Sequence, residues 1–219
     1  MLKGAIFDFD GTLFDSMFIW DAAGETYLRS LGRELEADLR KTLKPMSLRQ
    51  SAEYLRARYG LALSYEEICD GVNRTVEDFY FHKAQPKPGV IDLLKELRRR
   101  KMKMCVATAS DRYQAEAALA RCAMGHYFDG LLTCTEVGSG KDEPFIYRKA
   151  MEKLGAARHD TVVFEDAYHG ALTAKTDGFW VAGVYDAHET DQQGMRRLCD
   201  VYLRDFADLT ALWKFVSRL

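Results

Sequence analysis

Asp8 and Asp10 stand two residues apart at the end of a short apolar run. Two carboxylates this close repel unless a cation sits between them or one is protonated, and oxygen donors of this kind suit a hard ion such as Mg2+. Gly11 permits a positive φ and close approach of backbone N–H groups to a phosphate, and Thr12 adds a hydroxyl. A second acidic pair, Glu165-Asp166, follows the apolar stretch 161–164, where charge is costly without a cation, and suits the far side of a metal. Lys141 follows Gly138-Ser139-Gly140, where an ammonium would neutralise a phosphate and an attacking carboxylate together. Taken alone, a lysine in a glycine loop is more often a solvated side chain. Thr108 ends another apolar run, and Ser110-Asp111 are placed to cap the helix that follows, whose free N–H groups point where an anion would sit. Such caps occur in any protein, so this signal is weak alone.

The elements that must position these residues follow from periodicity. Residues 4–9 read as a buried strand stopped by Asp10-Gly11, so both aspartates leave one face at the strand's C-terminal end, where open α/β sheets bind ligands. From 16 to 85 the pattern is helical: Leu28 and Leu31, then Ala52, Leu55 and Tyr59, then Ile68, Val72, Val76 and Phe79. The dense turn signal Pro86-Lys87-Pro88-Gly89 ends it. Beyond Gly89, helices alternate with strands expected at 102–107, 130–134, 161–164 and 180–184, which describes a parallel sheet with crossover connections. The expected architecture is a Rossmann-like α/β core of residues 1–15 and 86–219, with an α-helical cap of residues 16–85 inserted after the first strand. Residue 16 and the segment 86–89 would form its two-stranded hinge.

Composition narrows the function classes. A chain of 219 residues, 47% hydrophobic and 29% charged, has the means to bury a core, which excludes a disulfide mini-protein and a disordered chain. A net charge of −2 supplies no field toward nucleic acid or anionic lipid. The insert carries ten basic and eleven acidic side chains, the remainder 21 and 22. The cluster Arg98-Arg99-Arg100-Lys101 ends an expected helix, where cations favour the negative end of the dipole. Five scattered cysteines form neither a disulfide framework nor a zinc signature. No apolar run reaches signal-peptide or membrane-spanning length, so a cytoplasmic monomer free of nucleic acid and membrane is expected.

DFDGTLFDS at 8–16, ATAS at 107–110, GK at 140–141 with PFIYRKAMEKLG at 144–155, and FEDAYHGA at 164–171 resemble, in order, the four motifs of the haloacid dehalogenase-like hydrolase superfamily. The first is highly specific and the second and third are loose. The position of the helical insert resembles the group that includes β-phosphoglucomutase and many small-molecule phosphatases. The resemblance implies that Asp8 is the nucleophile, forming an aspartyl-phosphate, and that Asp10 protonates the leaving oxygen and then activates water. It implies that Thr108 and the Ala109 N–H bind the phosphoryl group, beside Gly11, and that Lys141 offsets its charge. Asp8, the Asp10 carbonyl and Asp166 would hold Mg2+, with Glu165 acting through a coordinated water.

Two positions depart from that pattern. Trp20 stands where the mutases carry a histidine linking cap to catalytic acid, which favours hydrolysis, and Phe145 replaces the acidic residue usual after the third-motif Pro, which would alter the groups that support Lys141. Specificity is expected in the cap, in the loop 44–49, where Arg49 would either grip a second group of the substrate or pair with Glu53 one turn away. Trp20 would either line an apolar wall or pack cap helices together. The expected activity is a magnesium-dependent phosphatase for a small phosphorylated metabolite such as a sugar phosphate. The alternatives are a β-phosphoglucomutase-like mutase and a non-catalytic binding protein on the same scaffold.

Overall fold

The computed structural model describes residues 2–43, 46 and 48–219. The chain divides into two compact units, one holding the residues up to Asp15 and those from Ala84 to Leu219, the other Ser16–Lys83.

Among the described residues, the first unit carries six strands: β1 (Gly4–Phe7), β2 (Lys103–Thr108), β3 (Gly130–Thr133), β4 (Thr161–Glu165), β5 (Trp180–Val184) and β6 (Val201–Leu203). They form one parallel sheet in the order β3-β2-β1-β4-β5-β6. The order reverses between β1 and β4, and sheets of this kind present a ligand crevice at that point, beyond the C-terminal strand ends. Successive side chains of a strand point to opposite faces, so a strand covered on both sides must be apolar throughout. Ile6, Cys105, Val163 and Val181 accordingly enter one buried cluster with Ile146, Tyr147 and Ala150, while their neighbours Phe7 and Phe164 stack at 4.4 Å.

The helices of this unit are numbered after four in the insert: α5 (Val90–Arg99), α6 (Arg112–Arg121), α7 (Cys134–Val137), α8 (Phe145–Leu154), α9 (Tyr168–Thr176), α10 (Gln192–Leu198) and α11 (Thr210–Val216). The buried stripe of α5 is Val90, Leu93, Leu94 and Leu97, and the three arginines at its end are held in ion pairs, Arg98 with Asp129 and both Arg99 and Arg100 with Glu96.

Three expectations are corrected. The first strand ends at Phe7 rather than at residue 9, because the N–H groups of Leu13 and Phe14 turn back onto the Phe9 carbonyl and Gly11 takes φ 77°. Asp8 therefore directly follows the strand, its N–H still donating to the Phe164 carbonyl at 3.0 Å, and Asp10 lies in the turn beyond it. The third strand stops at Thr133, whose hydroxyl accepts the Glu136 N–H while Glu136 reaches back to the Thr133 N–H, a reciprocal cap that starts α7. Asp111 occupies the cap position of α6 without a side-chain bond to the helix; Ser110 donates its hydroxyl to Asp10 instead.

The chain leaves and re-enters this unit through two paired segments. The Asp15 N–H donates to the Gln85 carbonyl at 3.1 Å and the Lys87 N–H to the Leu13 carbonyl at 2.9 Å. Behind them the Lys87 ammonium is buried on Asp186, 2.9 Å away, and on the Tyr185 carbonyl at 2.7 Å. Asp186 also accepts the His188 N–H and contacts its Nδ1, each at 2.9 Å.

The second unit contains α1 (Met17–Ser30), α2 (Leu39–Leu43), α3 (Leu48–Tyr59) and α4 (Tyr65–His82). Helices α1 and α3 both pack on α4, burying Tyr27, Leu28, Leu55, Ile68, Val72, Val76 and Tyr80. A reciprocal cap of Ser64 with Glu67 starts α4. Among the described residues, no helix is long and apolar enough to cross a membrane, and all five cysteines are free.

Candidate active site

The turn after β1 and the end of β4 bring Asp8, Glu165 and Asp166 together beside Lys141. All four side chains are buried, and one carboxylate oxygen from each acidic residue lies within 4.8 Å of the other two. Lys141, which the sequence left between a solvated and a functional reading, donates to Asp8 and, at 2.6 Å, to Glu165 Oε1. The Thr12 hydroxyl donates to Asp166 Oδ1 at 3.1 Å. Asp10 is half-buried and accepts the Ser110 hydroxyl. Thr108 is fully buried at the end of β2, where its hydroxyl accepts the Ser110 N–H at 2.9 Å, and Ala109 beside it is exposed.

The charges are unbalanced. Burial disfavours ionised carboxyls, and clustered carboxylates disfavour one another. Burial pushes Asp8 up to about 7, opposed by Lys141 and reinforced by Glu165. Asp166 is held well above the ordinary carboxylate range by burial and then by Asp8, Glu165 and Asp186. For Lys141 burial works against the ammonium, but Asp8 and Glu165 outweigh it and raise its pKa, so it stays charged. Three buried carboxylates around one ammonium, with oxygen donors throughout, fit a hard divalent cation.

A family model for haloacid dehalogenase-like hydrolases matches residues 2–176, a stretch that includes each of these side chains. The chain belongs to that family. It is 27% identical over 177 residues to the phosphorylated carbohydrates phosphatase of Thermotoga maritima, covering 81% of this chain and 82% of that protein. It is also 27% identical over 218 residues to the beta-phosphoglucomutase of Bacillus subtilis, covering 95% and 92%. The crystal structure of CbbY from Rhodobacter sphaeroides in complex with phosphate superposes with a TM-score of 0.85 over 99% of this chain and 100% of that one at 22% identity, which establishes the shared fold. As a family member the chain is an enzyme, and its named relatives include several phosphatases.

The two cap residues expected to set specificity sit in the helical unit. Trp20 donates its indole N–H to the Tyr80 hydroxyl at 2.9 Å, a bond between α1 and α4. Arg49 is exposed on α3, paired with Glu53 at 3.2 Å, with its guanidinium 4.8 Å from the centre of the Tyr65 ring. Lys44, Pro45 and Ser47 of the expected specificity loop lie outside the described residues. Sequence reasoning missed Tyr147, whose hydroxyl donates to Glu165 Oε1 at 2.8 Å from within α8. Its place three residues after Pro144 was visible, but an aromatic at a helical core spacing carries no polar signal.

Proposed function

We propose that this chain is a magnesium-dependent phosphatase acting on a small phosphorylated metabolite, with a phosphorylated carbohydrate as its substrate class. The buried convergence of Asp8, Lys141, Glu165 and Asp166 at the edge between β1 and β4 carries the reading. The name of the Thermotoga relative supports the substrate class.

In this reading an Asp8 carboxylate oxygen forms a bond to phosphorus as the bond from phosphorus to the leaving oxygen breaks, and Asp10 gives that oxygen its proton. Asp10 then takes a proton from a water whose oxygen attacks phosphorus, and the Asp8 ester bond breaks to release phosphate. The Ser110 hydroxyl aims Asp10 for both transfers. Thr108, the Ala109 N–H and the turn at Gly11 receive the phosphoryl oxygens, and Lys141 offsets their charge. Asp8, Asp166, the Asp10 carbonyl and Glu165 are the groups that would hold Mg2+. Bound there, the ion keeps Asp8 ionised and neutralises the phosphoryl group. Trp20, tied to Tyr80, does not offer the histidine of the mutases, which favours water as the final acceptor.

The test is inorganic phosphate release from a panel of sugar phosphates and other phosphorylated metabolites, run with Mg2+, with chelator, and with Asp8→Asn. Release abolished by both controls is expected. Interconversion of sugar monophosphates without release would replace this reading with the mutase, and a folded protein inert toward the whole panel would replace it with a binding function.

A further inference from the structure

We propose that Tyr147 is the positioning residue for Glu165 in the magnesium site, and that Gly170 is required to leave the pair its space. The inference deepens the magnesium-dependent reading above and rests on it. Glu165 Oε1 collects two close donors, the Lys141 ammonium at 2.6 Å and the Tyr147 hydroxyl at 2.8 Å, while Oε2 faces the Ala167 N–H at a long 3.4 Å. The carboxylate is therefore pinned through one oxygen and keeps lone pairs on the other. Lys141 cannot fix it alone, because the same ammonium also bonds Asp8, whose charge changes when it attacks phosphorus. Tyr147 bonds Glu165 from outside that exchange. Its ring is anchored in the cluster beneath β1, β2 and β4 and meets Phe179 edge-on at 6.4 Å.

A second observation comes from the other side of the pair. Helix α9 runs so close that a Cβ at Gly170 would lie 2.7 Å from Glu165 Oε1 and 2.9 Å from the Tyr147 hydroxyl oxygen. Such distances are below van der Waals contact, so any side chain there must displace the hydrogen-bonded pair. Groups behind metal ligands commonly set affinity by fixing the ligand's orientation, and losing one weakens binding or activity by about 10- to 100-fold.

The experiment is calorimetric titration of MgCl2 alone into wild type, Tyr147→Phe, Gly170→Ala and the double variant, with thermal melting of each in parallel. Tyr147→Phe keeps the anchored ring and should weaken Mg2+ by about ten-fold, with phosphate release restored by raising Mg2+. Gly170→Ala should weaken Mg2+ as well, and by less in the Tyr147→Phe background, where the collision with the hydroxyl is gone and only those with the Glu165 carboxylate remain. Equal Mg2+ affinity in wild type and Tyr147→Phe, even with a lowered melting temperature, would overturn the positioning role and leave the metal reading standing. Wild type that takes up no Mg2+ would overturn that reading and this inference together.

Discussion

Replacing Lys87 with Met isolates the buried pair behind the two linker segments. The ammonium is 9% exposed and its partner Asp186 3% exposed, so water cannot replace the lost charge. After the substitution Asp186 keeps the His188 N–H and the Nδ1 contact, each at 2.9 Å, but its Oδ2 and the Tyr185 carbonyl both lose their donor. Removing one partner of a buried pair costs 3–5 kcal/mol in general, and the contacts that remain put this case at the lower end, about 3 kcal/mol. For a chain of this length that lowers the melting temperature by about 6–12 °C. Burial works to raise the Asp186 carboxyl, but the His188 N–H and the Lys87 charge outweigh it and hold it below the ordinary value of 3.8. The stabilisation from that shift is present above roughly pH 4 and is lost as pH falls through the folded value. Without Lys87 the folded carboxyl of the variant is raised, so the gap between wild type and variant should be widest at neutral pH and narrow as acid protonates Asp186, first in the variant and then in wild type. Lys87→Met with Asp186→Leu, which leaves no orphan charge, should recover most of the loss. Thermal melts followed by circular dichroism measure all of this. A single variant that melts within 1 °C of wild type at pH 7 would show that the pair is solvated and refute the reasoning.

Other consequences can be checked with the same material. Because burial pushes Asp8 up to about 7, the unfolded chain ionises this group from near pH 4 while the folded chain retains the proton. Chelated protein should thus lose stability as pH rises from 5 to 8, and Asp8→Asn should flatten that slope in parallel melts. Saturating Mg2+ at pH 8 should raise the melting temperature of wild type more than that of Asp8→Asn, as a thermal-shift titration would record. Ser64→Ala removes the reciprocal cap of α4 and should cost the helical unit about 1 kcal/mol, read as a lower midpoint in urea.

Much of the site was legible because acidic residues placed directly after apolar strands have few structural uses. Asp8, Asp10, Glu165 and Asp166 announce themselves in this way, and the alternation of helix and strand beyond Gly89 gives the sheet that carries them. Lys141 stood out less, since a lysine in a glycine loop looks the same whether solvated or buried on two carboxylates. Short elements carried too few residues for a period to register: β6 has three residues and α7 four. Tyr147 and Lys87 were hidden for a different reason. Each draws its meaning from partners far along the chain, Glu165 for one and Asp186 for the other, and no local pattern encodes such a pair.

The strand order also dictates when the molecule can be assembled. Strand β1 ends at Phe7, yet its two neighbours begin at Lys103 and Thr161. Strand β1 is thus made well before either of its partners, while the contiguous helical unit that lies between β1 and β2 in sequence, with its contacts near in sequence, is complete first. Pairings so distant form slowly, and units fold as they emerge. Asp8 is made long before Glu165 and Asp166, so the buried acidic cluster exists only once β4 has paired with β1.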